Sequence, residues 1–153
     1  MAATQVATHK NYIGGKWVES VTGRTYPVHN PAHTDNLVGE FQTSGAEDTR
    51  QAIEAAKDGL KTWSNTPAPA RANIIYKALE IMSRRFEELA ETITIEEGKP
   101  IADARGEVKR AMNIMEYAAG EGRRMFGHTT PSELPNTVAY TVRRPLGVVG
   151  IIT

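Results

Sequence analysis

The chain contains no cysteine in its 153 residues. Disulfides, thiolate metal sites and cysteine nucleophiles are therefore excluded within it. It also lacks an excess of either charge, with 18 Lys+Arg against 18 Asp+Glu. That balance gives no global attraction to nucleic acid or to an anionic membrane. No apolar run reaches the roughly 18 residues that a membrane-spanning helix requires. Residues 1–10 have no apolar signal-peptide core, so the cytoplasm is the expected compartment. The four histidines, His9, His29, His33 and His128, show no metal-ligand spacing. His29 and His33 are four apart, but Pro31 between them prevents a regular helix, so they read as surface or loop residues.

What is present reads as a soluble globular α/β chain, long enough for one domain with a core. Residues 1–10 are polar and are expected to form a disordered tail. Gly14-Gly15 between Tyr12-Ile13 and Trp17-Val18 signals a hairpin, because glycine supplies the positive φ of a tight turn. Thr25 to His29 and Leu37 to Phe41 read as short strands, with a turn at Asn30-Pro31. Ser44-x-x-Glu47 fits a capping box that opens a helix with Ile53, Ala56, Leu60 and Trp63 on one face. Pro67 and Pro69 break it. A longer helix is expected from about Arg71 to Glu97, with Ile75, Leu79, Met82, Phe86, Leu89 and Ile93 as its apolar stripe. Gly98 terminates it and Pro100 begins the next, which runs to about Phe126. Small residues line that last helix, among them Ala104, Gly106, Ala111, Ala118, Ala119 and Gly122, which predicts close approach by another backbone.

After a loop over 128–136, Val138 to Val142 alternates as a half-exposed edge strand. The chain closes on Leu146-Gly147-Val148-Val149-Gly150-Ile151-Ile152-Thr153, an uncharged run in which all but the threonine are apolar or glycine. Such a run reads as a parallel-type core strand buried on both faces, which needs neighbouring strands that the rest of the chain does not supply. Its glycines do not form a phosphate loop, since neither G-x-G-x-x-G nor G-x-x-x-x-G-K is present there. Glu96 and Glu97 are adjacent on a helix, face different directions, and read as a solvated surface rather than an acid/base pair. Lys99 suits the helix C-terminal dipole, and Glu107 with Arg110 suits an i,i+3 ion pair. Trp17 and Trp63 read as packing residues. From the residues alone, no catalytic constellation emerges.

Taken together, several stretches resemble the N-terminal part of the aldehyde dehydrogenase superfamily. They are Asn11-Tyr12-Ile13-Gly14-Gly15-Lys16-Trp17, Asn30-Pro31-Ala32, Arg71, Glu96-Glu97-Gly98-Lys99-Pro100, Tyr117-Ala118-Ala119 and Arg144 to Thr153. They occur in the family's order and spacing over residues 11–153. The resemblance implies a Rossmann-type cofactor domain, of which 11–127 would be the N-terminal part and 146–153 the first sheet strand. Residues 128–145 would belong to a β extension that builds a homo-oligomer, dimer or tetramer. It implies NAD or NADP as cofactor, with Ile151, Ile152 and Thr153 beside it, and a small-molecule aldehyde as substrate. Some relatives hold a structural Na⁺ or K⁺, whose ligands here would be Val28, His29 and Glu96. The family's catalytic cysteine and general-base glutamate would lie beyond residue 153, so no catalytic residue is assigned here. Gly120 to Arg124 with Pro131-Ser132 looks most like the semialdehyde dehydrogenases, 2-oxoglutarate semialdehyde types included. The expectation is therefore an N-terminal piece of an NAD(P)⁺-dependent enzyme, inactive alone. The alternative is a stand-alone, non-catalytic chain that pairs with full-length subunits.

Overall fold

The structure is a computed structural model that describes residues 6–153. Among the described residues, seven strands and four helices follow one another in two blocks. The first block is β1 (Thr8–His9), β2 (Asn11–Ile13), β3 (Lys16–Val18), β4 (Thr25–Asn30) and β5 (His33–Gln42). The second is α1 (Ala46–Trp63), α2 (Ala68–Arg84), α3 (Phe86–Glu97) and α4 (Ile101–Glu121), followed by β6 (Thr129–Thr130) and β7 (Ala139–Tyr140).

β2 and β3 form the expected hairpin, with Ile13 opposite Lys16 and both turn glycines at positive φ, +58° and +81°. This is the two-residue turn whose twist matches the strands it joins. β4 and β5 pair antiparallel, and Asn30 Oδ1 accepts the Ala32 N–H at 2.9 Å to close their turn. β5 is longer than the sequence suggests, because its His33–Asn36 half has no apolar alternation to reveal it. β1 joins β5 in parallel, with Thr8 opposite Glu40. The expected tail over 1–10 is thus ordered at Thr8–His9, where the polar sequence hid a ladder made of main-chain bonds. Residues 1–5 of that tail lie outside the described residues.

α1 starts one residue later than the capping pattern implies. Gly45 is the N-cap, and Asp48 rather than Glu47 reaches back, its Oδ2 accepting the Gly45 N–H at 2.8 Å. Asp48 Oδ1 also accepts the Val21 N–H at 2.8 Å, which ties the loop after β3 to the start of α1. Ser20 and Gln42, both buried, extend this seam: Gln42 Oε1 accepts the Ser20 N–H and Gln42 Nε2 donates to the His9 carbonyl.

The expected single helix over 71–97 is two helices. Arg85, at φ −104° and ψ 20°, leaves the helical region between α2 and α3. No proline or glycine marks the break, and the apolar spacing runs through it, so periodicity alone cannot reveal it. α4 is the spine of this block, packing along both α2 and α3. Ala90, Ala104 and Val108 form its buried centre, with Phe86, Leu89, Ile93, Ile101 and Met112 around them. α4 ends at Glu121, short of Phe126. The close approach anticipated from its small residues is real at Gly122, where a Cβ would stand 2.6 Å from Ala72 Cβ and 2.9 Å from the Ala68 carbonyl. It is absent at Gly106, which faces open space.

Beyond α4, the 138–142 strand shortens to Ala139–Tyr140, paired with Thr129–Thr130. The closing run Leu146–Thr153 is irregular chain with no ladder, Gly147 standing at φ +105°, and Ile152 is 100% exposed. A strand buried on both faces requires flanking strands, and none lies beside it among the described residues.

The two blocks meet at Gly98. It ends α3 in the left-handed region at φ +74°, and a Cβ there would fall 2.8 Å from Pro31 Cγ and 3.0 Å from the Ala32 nitrogen. Gly98→Val is expected to cost about 2 kcal/mol or more, from the left-handed backbone together with that contact. Urea unfolding of the two proteins measures it; an unchanged midpoint would contradict this account.

Asp48 supplies a pH dependence. Hydrogen bonds from the Gly45 and Val21 amides hold its carboxyl below the ordinary aspartate range. A lowered folded-state pKa contributes stability above the unfolded value, and that stability is lost as pH falls through the folded one. Thermal melting points are therefore expected to drop from about pH 4 downward, and Asp48→Asn to flatten that part of the curve. Parallel wild-type and variant curves would remove Asp48 from this role.

Candidate functional site

Two regions carry the sequence-predicted site residues, and the chain builds them differently. The first lies where β4 packs against α3. The β4–β5 ladder is regular up to Val28 and then shifts register twice, between Val28 and His29 and between His29 and Asn30. Such irregularities leave main-chain groups outside the regular ladder and re-aim them. The His29 ring is held by its own hairpin, with Nδ1 2.8 Å from the Thr34 carbonyl. The Gly98 contact with Pro31 and Ala32 brings the end of α3 onto the same turn.

The carboxylates of α3 divide sharply in their partners. Glu87 binds the Arg105 guanidinium, Glu88 binds Arg85, and Glu97 binds Lys99 at 2.6 Å. Lys99 is also bonded to Glu107, and these two carboxylates, Glu107 foremost, hold its ammonium well above the ordinary lysine range. Lys99 is thus a bridge between the α3–α4 turn and α4 rather than a lone dipole partner. It also takes the carboxylate that the sequence assigned to Arg110. Glu91 and Glu96, both exposed, have no ion pair among the described residues, and of the two Glu96 stands on the last turn of α3.

Main-chain carbonyls and a carboxylate are hard, oxygen-only donors of low charge. Such a set fits a hard monovalent cation better than a transition metal, which favours imidazole or thiolate. No group of three or more His, Cys, Asp or Glu side chains suited to a metal occurs among the described residues. Val28, His29 and Glu96 therefore remain chemically compatible with Na⁺ or K⁺.

The second region is the closing run. Val148 rests against the apolar side of α1, in a shallow groove with Ala56, Gly59, Leu60 and Trp63. Ile151 and Ile152 project beyond it, and Thr153 is exposed. These three residues enclose nothing by themselves, and no glycine-rich phosphate turn accompanies them. As they stand they do not make a dinucleotide site. The sequence could not show this, because burial of a strand depends on neighbours that it does not encode.

A third feature was quoted from the sequence without a role. Arg71 lies over the Trp63 ring, 5.8 Å from its centre, beside a cavity of about 250 Å³ formed with Ala68, Ala72, Ile75 and Gly122. The cation–aromatic contact joins α1 to the start of α2.

Comparison with known proteins agrees on one family. A sequence model described as the aldehyde dehydrogenase family matches residues 17–153. A malonate-semialdehyde dehydrogenase of Bacillus pumilus is 40% identical over 153 residues, covering 100% of this chain and 31% of the relative. An alpha-ketoglutaric semialdehyde dehydrogenase of Bacillus subtilis is 40% identical over 150 residues, again covering 31% of that protein. This chain thus spans about a third of the length of these relatives. Among solved structures, an NADP-dependent enzyme of E. coli superposes with a TM-score of 0.83 at 33% identity, covering 87% of this chain and 27% of that one.

Proposed function

The chain belongs to the aldehyde dehydrogenase family, and on that premise we propose that it forms the N-terminal third of an NAD(P)⁺-dependent oxidoreductase that converts an aldehyde to the carboxylic acid. The family match over residues 17–153 carries this reading. The semialdehyde names of the two 40%-identical relatives favour a substrate with a second, acidic end. The cytoplasm is the matching compartment; no helix among the described residues is long and apolar enough to cross a membrane.

In this reading each block has a task. α1 to α4 form part of the cofactor domain, and Leu146–Thr153 becomes the first strand of its sheet once flanking strands are present. Ile151, Ile152 and Thr153 then lie beside the nicotinamide cofactor, which accepts the hydride. The small β6–β7 sheet, with Val138, Tyr140 and Val142 exposed, supplies an edge suited to a homo-oligomeric contact. With no cysteine in the chain, a thiolate nucleophile must come from residues outside 1–153.

Turnover measurements test the assignment. The 153-residue chain alone is expected to form no NAD(P)H from a semialdehyde. The same chain joined to the remaining two thirds of the Bacillus pumilus relative is expected to do so. Protein-dependent NAD(P)H formation by the chain alone would overturn the division of labour, and an inactive but folded joined protein would overturn the assignment.

The cation site belongs to the same proposal. Val28 and His29 offer main-chain carbonyls and Glu96 a carboxylate to a structural Na⁺ or K⁺, which would pin β4 to the end of α3. Replacing choline by Na⁺ or K⁺ at constant ionic strength is expected to raise the melting temperature of the joined protein. Glu96→Gln should erase that increment. An increment that survives the substitution would remove Glu96 from the site.

A further inference from the structure

Residues 128–140 leave the end of α4 and return, and their own ladder is only two pairs long, Thr129 opposite Tyr140 and Thr130 opposite Ala139. So short a two-stranded ribbon is marginal in water and cannot fix its own direction. Its apolar side chains give it no core, since Leu134, Val138, Tyr140 and Val142 are all exposed. What holds the ribbon lies at its neck, where 126–128 meets 141–143.

Four contacts converge there. The Thr141 N–H donates to the His128 carbonyl at 2.8 Å. A regular antiparallel pair would return the bond from the His128 N–H to the Thr141 carbonyl. Here the His128 N–H donates to Thr141 Oγ1 instead, also at 2.8 Å. The Thr141 carbonyl lies against Gly127, where a Cβ would stand 2.0 Å from its oxygen. No side chain fits at that distance, so only glycine lets the neck close. Arg143 Nε then donates to the Phe126 carbonyl at 3.2 Å and spans the two arms. The neck thus uses a glycine for closeness, a hydroxyl in place of a carbonyl, and a guanidinium as a strut. Valine at 141 would keep the volume and lose the acceptor.

The neck is also tied to the helices. Gly122 packs against Ala72 and the Ala68 carbonyl of α2. Arg124 bonds Glu121 on the last turn of α4, and the Phe126 N–H donates to the Arg124 carbonyl at 2.9 Å. A continuous series of contacts therefore runs from α2 and α4 through Phe126 to Arg143.

We propose that Gly127, Thr141 and Arg143 form a clasp that aims the β6–β7 edge, so that a second copy of the subunit meets that edge at one fixed angle. They are positioning residues for assembly, set back from the exposed edge that makes the contact. The inference rests on the homo-oligomer reading above and adds to it the residues that decide whether the edge is correctly presented. A ribbon free to swing loses orientational freedom on contact, and a clasped one has little left to lose.

Two measurements separate the clasp from its consequence. Hydrogen exchange on the 153-residue chain reads the clasp. The His128 and Thr141 amides are expected to exchange about 10-fold faster in Thr141→Val and Arg143→Gln, with the amides of α4 unchanged and Thr141→Ser like wild type. Unchanged His128 exchange in Thr141→Val would overturn the clasp. Sedimentation of the chain joined to the remaining two thirds of the Bacillus pumilus relative reads assembly. Thr141→Val and Arg143→Gln are expected to raise its subunit dissociation constant about 10-fold, Gly127→Ala by more, and Thr141→Ser to restore it, all at unchanged helical content. Faster exchange with a wild-type dissociation constant would overturn the aiming role and leave the homo-oligomer reading standing. A wild-type joined protein that stays monomeric at every concentration would overturn that reading, and the role in assembly with it.

Discussion

The helical half of this chain depends on how closely α4 can approach α2 and α3. Its buried contacts are made by Ala104, Val108 and Ala119, and the nearest crossing is made at Gly122. Small side chains bury little apolar area, so the hydrophobic gain per residue is low. Close approach compensates by bringing many main-chain and Cβ atoms within dispersion range. The same geometry sets the limits of the half. No large side chain is fully buried among the described residues, and the cluster stays thin. A layer built this way aligns helices well but stabilises them modestly until another layer is added.

The strand half is held by a different means. Its joints are polar: Asp48 across Gly45 and Val21, Gln42 across Ser20 and His9, Asn30 across Ala32. Each side chain bonds main-chain groups from separate segments, which fixes loops that have little apolar surface to bury. Gly98 then connects the halves by steric fit against the β4–β5 turn, and Asp48 connects them again through the Val21 amide, while Lys99 ties α3 to α4 by its bonds to Glu97 and Glu107. The cation-compatible residues lie at that connection. An ion there would tighten one of the places where the two constructions touch.

Much of this was legible in residues with a strong local preference. Gly14-Gly15, Gly98 and Pro100 declare their conformations whatever surrounds them, and the elements they bound appear where expected. The break at Arg85 was not legible, since it depends on how two helices divide the surface of α4. The capping frame is displaced by one residue because the adjacent Glu47 and Asp48 can each reach back to a cap, and Asp48 is chosen through a loop 27 positions away. β1 was hidden because a two-residue ladder needs no side-chain pattern. For the candidate site the division is similar. The bulge at Val28–His29 and the lack of an ion partner for Glu96 emerge only from pairing in space. The closing run announced its need for neighbours in its composition, but whether they are present is not a local property.

The exposed closing run also has a consequence measured in time. In a relative of which this chain is 31%, on the order of 340 residues are still to be synthesised when the equivalent of Thr153 leaves the ribosome. At about 5–20 residues per second that takes from some 20 s to about a minute. Hairpins and helices form within microseconds, so α1 to α4 are in place almost at once. Until strands able to pair with it are made, an uncharged, β-branched segment waits beside α1 with its main chain unpaired. An adhesive segment of this kind is a hazard whose size is set by waiting time as much as by sequence.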